Sequence, residues 1–175
     1  IQFQNVSAGN SNTCAIMTNG ILKCWGITNY TGLSSLKNYL PDTAKRMLVN
    51  QNITHVDSGY QHTCLVLSTG DLKCWGNNQN GRLGDGTQTS RSRPTMVRTG
   101  VNFSKITAAS NHSCGITTLG VLKCWGYNAS GQLGNNSTLN SYFPIVIDNG
   151  TSYANVSAGS SHTCGITTSG VLKCW

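Results

Sequence analysis

Glutamate is absent from this sequence, and its acidic complement is five aspartates: Asp42, Asp57, Asp71, Asp85 and Asp148. Charged side chains make up only 10% of the 175 residues, so the paired carboxylates of general acid–base chemistry have few positions to come from. Only Asp57, Asp71 and Asp85 share one repeat. Long apolar runs are missing as well; none approaches the roughly 18 residues of a membrane-spanning helix. Neither an initiator methionine nor a signal-peptide pattern opens the chain, which reads as a mature form or a fragment. Strong helix formers are scarce, whereas Gly, Ser, Thr and Asn dominate. That mixture favours strands and turns. No Gly-x-Ser-x-Gly or phosphate-loop pattern occurs. The expectation is an all-β protein that is not an enzyme.

The few charges are mostly basic, giving a net charge of +7. A basic balance can serve nucleic acid, anionic membrane or acidic polysaccharide. Here Lys23, Lys73, Lys123 and Lys173 are spread one per repeat, and the only local cluster is Arg91, Arg93 and Arg98. A solvated surface is expected, with no nucleic-acid partner; an acidic glycan is the one anionic partner kept in view.

The dominant feature is internal repetition. Eight cysteines stand at Cys14, Cys24, Cys64, Cys74, Cys114, Cys124, Cys164 and Cys174, paired ten residues apart and recurring every 50. The text around them recurs too: TCAIMTNGILKCWG, TCLVLSTGDLKCWG, SCGITTLGVLKCWG and TCGITTSGVLKCW. A short apolar-plus-small segment precedes each, starting at Val6, Val56, Ile106 and Val156. GRLGDGT from Gly81 and GQLGNNS from Gly131 follow, then PTMV from Pro94 and PIVI from Pro144. Each unit reads as four short strands. The first carries small residues suited to a crowded axis. The second and third make a hairpin turning at Gly20, Gly70, Gly120 and Gly170, and the fourth begins at the proline. Such spacing is that of β-propeller blades. The expected organisation is one repeat domain over 1–175, with repeats at 1–50, 51–100 and 101–150 and a partial repeat at 151–175, about 3.5 blades. An arc of that size, half of seven, cannot close alone.

These motifs (V-x-A-G-x-x-H-T-C, T-x-G-x-L-K-C-W-G, G-Q-L-G and P-x-x-V) resemble the regulator of chromosome condensation repeat, in its cysteine-containing secreted version. The resemblance covers essentially the whole chain and implies a propeller, typically of seven blades. Relatives of the fold include a guanine-nucleotide exchange factor that binds chromatin and a secreted β-lactamase inhibitor. Repeat 1 departs from the pattern: Asn12 replaces the histidine found as His62, His112 and His162, and ITNYTGLSS after Gly26 lacks the G-Q-L-G loop.

A three-residue turn at Thr18, Asn19 and Gly20 sets Cys14 directly opposite Cys24, and the same register pairs Cys64 with Cys74, Cys114 with Cys124 and Cys164 with Cys174. A non-hydrogen-bonded opposed pair has the Cα separation of about 4.5 Å that a disulfide accepts. Zinc is the rival, through His62, Cys64 and Cys74 and their equivalents. Ligands on a flat hairpin do not converge tetrahedrally, however, and repeat 1 has no such histidine. Disulfides, and hence an oxidising compartment, are expected.

Asn-x-Ser/Thr occurs ten times, at Asn5, Asn29, Asn52, Asn102, Asn111, Asn128, Asn135, Asn136, Asn149 and Asn155. Chance placement of these residues gives about four. N-linked glycans are therefore expected, on a protein secreted or displayed at the cell surface; no other cofactor is implied. Trp25, Trp75, Trp125 and Trp175 read as inter-blade packing, and the repeated histidine as a structural residue. Two roles remain: a structural subunit whose blade faces stack on further copies or adjoining repeats in a coat or fibre, or a secreted binding module for a protein or acidic glycan. For the second, Tyr30, Tyr39, Tyr142 and Phe143 are the aromatic candidates.

Overall fold

The computed structural model describes residues 2–26, 45–46, 52–97 and 99–175, and every regular element among them is a strand. Blade 1 comprises β1 (Phe3–Ala8), β2 (Asn12–Met17), β3 (Leu22–Gly26) and β4 (Lys45–Arg46), antiparallel in that order. Blade 2 repeats the plan with β5 (Ile53–Ser58), β6 (His62–Leu67), β7 (Leu72–Gly76) and β8 (Arg91–Met96). Blade 3 has β9 (Phe103–Ala108), β10 (His112–Thr117), β11 (Leu122–Gly126) and β12 (Ser141–Val146). Blade 4 shows β13 (Tyr153–Ala158), β14 (Thr163–Thr167) and β15 (Leu172–Cys174). The inner strands β1, β5, β9 and β13 lie side by side. The architecture is a partial β-propeller of meander blades.

Local chemistry sets the register. In the first hairpin Met17 N donates to Ile21 O and Gly20 N to Met17 O, with Gly20 at φ +76°. A side chain is strained at such a φ, so glycine recurs there in every repeat. The same register makes Thr163 and Trp175 exchange both backbone hydrogen bonds. Cys164 and Cys174, one step inward, are thus a non-hydrogen-bonded pair. All four disulfides form as expected, each with Cα atoms 4.1 Å apart. Small residues also serve the axis. A Cβ on Gly59 would strike the Ala109 carbonyl, and Tyr60 N donates to that carbonyl at 3.2 Å.

One boundary differs from expectation. The outer strands begin at Arg91 and Ser141, three residues ahead of Pro94 and Pro144. Each proline falls where the register with the third strand shifts, so its missing N–H costs no ladder bond. Asn29, Tyr30, Tyr39 and Arg98 lie outside the described residues.

The cores sit between blades. Cys14, Ile16, Leu22 and Cys24 of blade 1 pack with Ile53, Val56, Leu65, Leu67 and Trp75 of blade 2. Blade 2 meets blade 3 the same way, through Leu72 and Leu83 against Phe103, Ile106 and Trp125. Phe103 and Trp125 meet edge to face at 6.2 Å. Each blade therefore presents one face carrying its disulfide and another carrying its tryptophan.

Candidate functional site: the junctions between blades

The polar groups of the repeat converge on the junctions rather than on an open cleft. Between blades 2 and 3, His62 Nε2 lies 2.8 Å from Ser113 Oγ, which donates to the Arg82 carbonyl at 2.9 Å. Trp125 Nε1 donates to the same carbonyl at 3.0 Å. A serine hydroxyl has one proton, and Ser113 gives it to the carbonyl. His62 must then be the donor through Nε2–H, leaving Nδ1 bare. The next junction repeats this: His112 to Thr163 at 2.8 Å, Thr163 to the Gln132 carbonyl at 2.8 Å, and Trp175 to that carbonyl at 3.0 Å. Between blades 1 and 2 an amide takes the histidine's place, Asn12 Nδ2 donating to Thr63 Oγ1 at 3.1 Å.

Burial governs the chemistry of these histidines. The His62 pKa is lowered to about 3 by desolvation, with the charges of Arg82 and His112 acting in the same direction. His112 falls to about 4, again chiefly by desolvation and then through His162. Both Nδ1 atoms are buried without a hydrogen-bond partner. A histidine beside a serine suggests a hydrolytic pair, but His62 and Ser113 are both fully buried and the hydroxyl points at a carbonyl. The arrangement is a clamp. The cysteine sulfurs that a zinc site would need are joined to each other, and the His62 ring faces Ser113.

A second device crosses the inner strands. Asp57 accepts from Ser7 Oγ in blade 1 at 2.7 Å and from Ala108 N in blade 3 at 2.8 Å. One carboxylate thus ties three blades. The outer loops have their own organiser: Asn78 Nδ2 donates to Asp85 and to the Thr87 and Thr89 carbonyls, while its Oδ1 accepts from Leu83 N. Asn128 does the same with Asn135, Ser137, Leu139 and Leu133. Asn128 is fully buried with its amide hydrogens engaged, unlike the exposed sequon asparagines. Of the overlapping pair, Asn135 is half-buried and accepts from Asn128, whereas Asn136 is exposed. Asn52, Asn102, Asn149 and Asn155 are exposed; Asn5 and Asn111 are half-buried.

Tyr142 and Phe143 are adjacent on β12. They lie over the blade 2 loop, where a Cβ on Gly81 would strike Tyr142 and one on Gly86 would strike Phe143. Gln88 Nε2 also donates to Tyr142 Oη at 2.8 Å. An open depression of about 240 Å³ at the axis is lined by small residues such as Gly9, Gly59 and Ala109, together with Tyr60. Arg91 is paired to Asp85 at 2.6 Å.

The two outermost faces are the exception to all this closure. Trp75 and Trp125 are fully buried, yet Trp25 is half exposed. Val6 is 64% exposed where Val56 is 2%, and Leu172 is 64% exposed where Leu72 is 2%. His162, with no blade against it, is exposed.

Radial four-stranded sheets, inner strands side by side and tryptophans wedged between blades define a β-propeller of tandem repeats. The family model described as the regulator of chromosome condensation (RCC1) repeat matches residues 3–32, 53–82 and 103–132, and a second model of that description matches 69–116 and 120–166. The chain belongs to the RCC1 repeat family. Yeast RCC1 (Prp20), crystallised bound to Kap60, superposes with a TM-score of 0.81 at 18% identity, over 99% of this chain and 43% of that one. Human WBSCR16 gives 0.80 at 21%, over 95% and 44%. The ectodomain of the Arabidopsis thaliana receptor kinase ACR4 gives 0.62 at 21%, over 99% and 50%. The chain thus spans half or less of the length of these structures. Among curated proteins, none matches.

Proposed function

We propose that this chain is a non-catalytic, N-glycosylated extracellular protein segment whose outermost blade faces are covered by further repeats, as part of a repeat-built surface assembly or fibre. One observation carries the reading: Val6, Trp25, Ile166 and Leu172 are exposed at positions whose counterparts in blades 2 and 3 are buried against a neighbour. The cover is a further copy of this chain or adjoining repeats of a longer one. Large apolar side chains exposed on a face that is buried elsewhere in the same fold mark an interaction site. Four disulfides indicate an oxidising environment, and secretion is the ordinary route to it. Exposed sequons at Asn52, Asn102, Asn136, Asn149 and Asn155 suit a glycoprotein. The family's fold also serves as a receptor-kinase ectodomain in plants.

Two measurements test the proposal. Intact mass before and after amidase removal of N-glycans is expected to fall; an unchanged mass rejects the glycoprotein. Negative-stain microscopy of native material is expected to show stacked or extended particles, whereas uniform discrete discs reject the fibre. Discs would favour the second reading, a binding module for a protein or acidic glycan. The exposed Phe143 and Arg93 on outer strands and the net charge of +7 support that alternative.

A further inference from the structure

The hydroxyl clamps have a consequence beyond holding the blades together. We propose that His62 and His112 form an acid-sensitive catch, holding blades 2, 3 and 4 together when neutral and releasing their junctions when protonated. The geometry requires each ring to be a neutral Nε2–H donor, because the Ser113 and Thr163 hydroxyls give their own protons to the Arg82 and Gln132 carbonyls. Protonation adds a hydrogen at Nδ1, where neither ring has a partner. The charged or titratable groups facing His62 are Arg82, from the loop after β7, and His112, from β10; His162, just ahead of β14, faces His112. All are basic, so nothing opposite compensates the new charge. A buried, unpaired cation is among the costliest groups a junction can contain.

The direction with pH follows from linkage. An unfolded histidine has the model value of 6.5, against about 3 for folded His62 and about 4 for folded His112. Between those limits the unfolded chain binds more protons than the folded one. The contribution is fully present above the unfolded value and is lost as pH falls toward the folded values. Each histidine weakens the folding equilibrium by roughly tenfold per pH unit across that window. Repeat 1 contains the natural insensitive version, since Asn12 makes the equivalent bond with an amide that does not titrate.

The test uses the full disulfide-bonded chain and its double variant His62→Asn/His112→Asn, with His162→Asn as a control on an exposed ring. Urea midpoints are measured at pH 7.5 and 4.5. Wild type and the control are expected to lose stability in acid by roughly 100-fold per buried histidine more than the double variant does. Asp57, which also crosses the junction between blades 2 and 3, is common to all three proteins and cancels in the comparison. Parallel pH dependences for wild type and double variant overturn the catch. Should the double variant not fold, ring ¹⁵N shifts of the wild type decide. Neutral Nε2–H rings for His62 and His112 at pH 5 support the catch, and protonation of either in the folded chain at that pH overturns it.

Discussion

Leu72 and Leu172 occupy the same position in the repeat, yet one is sealed between blades and the other faces water. Their flanking sequence does not distinguish them, since both follow a Gly-x pair and precede Lys-Cys. Leu72, however, is flanked by β8, with Val97 N donating to its carbonyl, whereas Leu172 lies on β15 at the edge of a three-stranded sheet. The difference is the neighbour. A blade of this family has no core of its own, so its stability is a nearest-neighbour quantity, as in other repeat proteins. The middle blades, 2 and 3, have both faces covered, whereas blades 1 and 4 each have one uncovered. The exposed faces therefore correspond to faces that are buried at junctions elsewhere in the molecule.

The largest expected effect contrasts Trp125→Ala with Trp25→Ala. Removing Trp125 opens a cavity between Leu83 and Phe103 and should cost about 3–5 kcal/mol. Trp25→Ala should cost far less in the isolated chain, read by urea unfolding; equal losses would break the distinction between covered and uncovered faces. Next comes the disulfide pair Cys64→Ser/Cys74→Ser, with an expected loss of about 2–3 kcal/mol from restored loop entropy. Mild thiol reduction followed by alkylation and mass spectrometry sharpens the same comparison. Cys174 is exposed and Cys164 half-buried, whereas the other six cysteines are buried, so the Cys164–Cys174 bridge should open first. Asn78→Ala should cost about 1–3 kcal/mol by leaving the Leu83 N–H and two loop carbonyls unsatisfied, with a parallel loss for Asn128→Ala. Peptide mapping should correspondingly find Asn128 free of glycan. The smallest change expected is Asp85→Asn, below about 1 kcal/mol, because Asn135 already does that work in repeat 3 and the Arg91 pair is partly solvated.

The sequence made the hairpin register and cysteine pairing legible because a turn of fixed length dictates what lies opposite what. Tryptophan as the inter-blade wedge was readable for a related reason: a large apolar residue recurring at one phase must meet the same environment each time. The clamp was not readable. Its partners are separated by 51 residues from His62 to Ser113 and by 31 from Ser113 to Arg82, and one of them is a backbone carbonyl. Ser113 and Thr163 looked like ordinary strand residues. Their fixed position immediately before each cysteine was the available signal. The burial of Asn128 was not legible either, because a sequon reports three neighbouring residues and not the loop that buries them. Its phase match with Asn78, which lies in no sequon, pointed to the structural role.

Hydroxyl-radical footprinting of the native glycosylated protein tests the central claim most directly. If further blades cover the outermost faces, Val6, Trp25, Ile166 and Leu172 will be protected to the level of Val56, Trp75, Val66 and Leu72. Oxidation of Val6, Trp25, Ile166 and Leu172 at the rate of freely exposed side chains, with their buried counterparts protected, would contradict it.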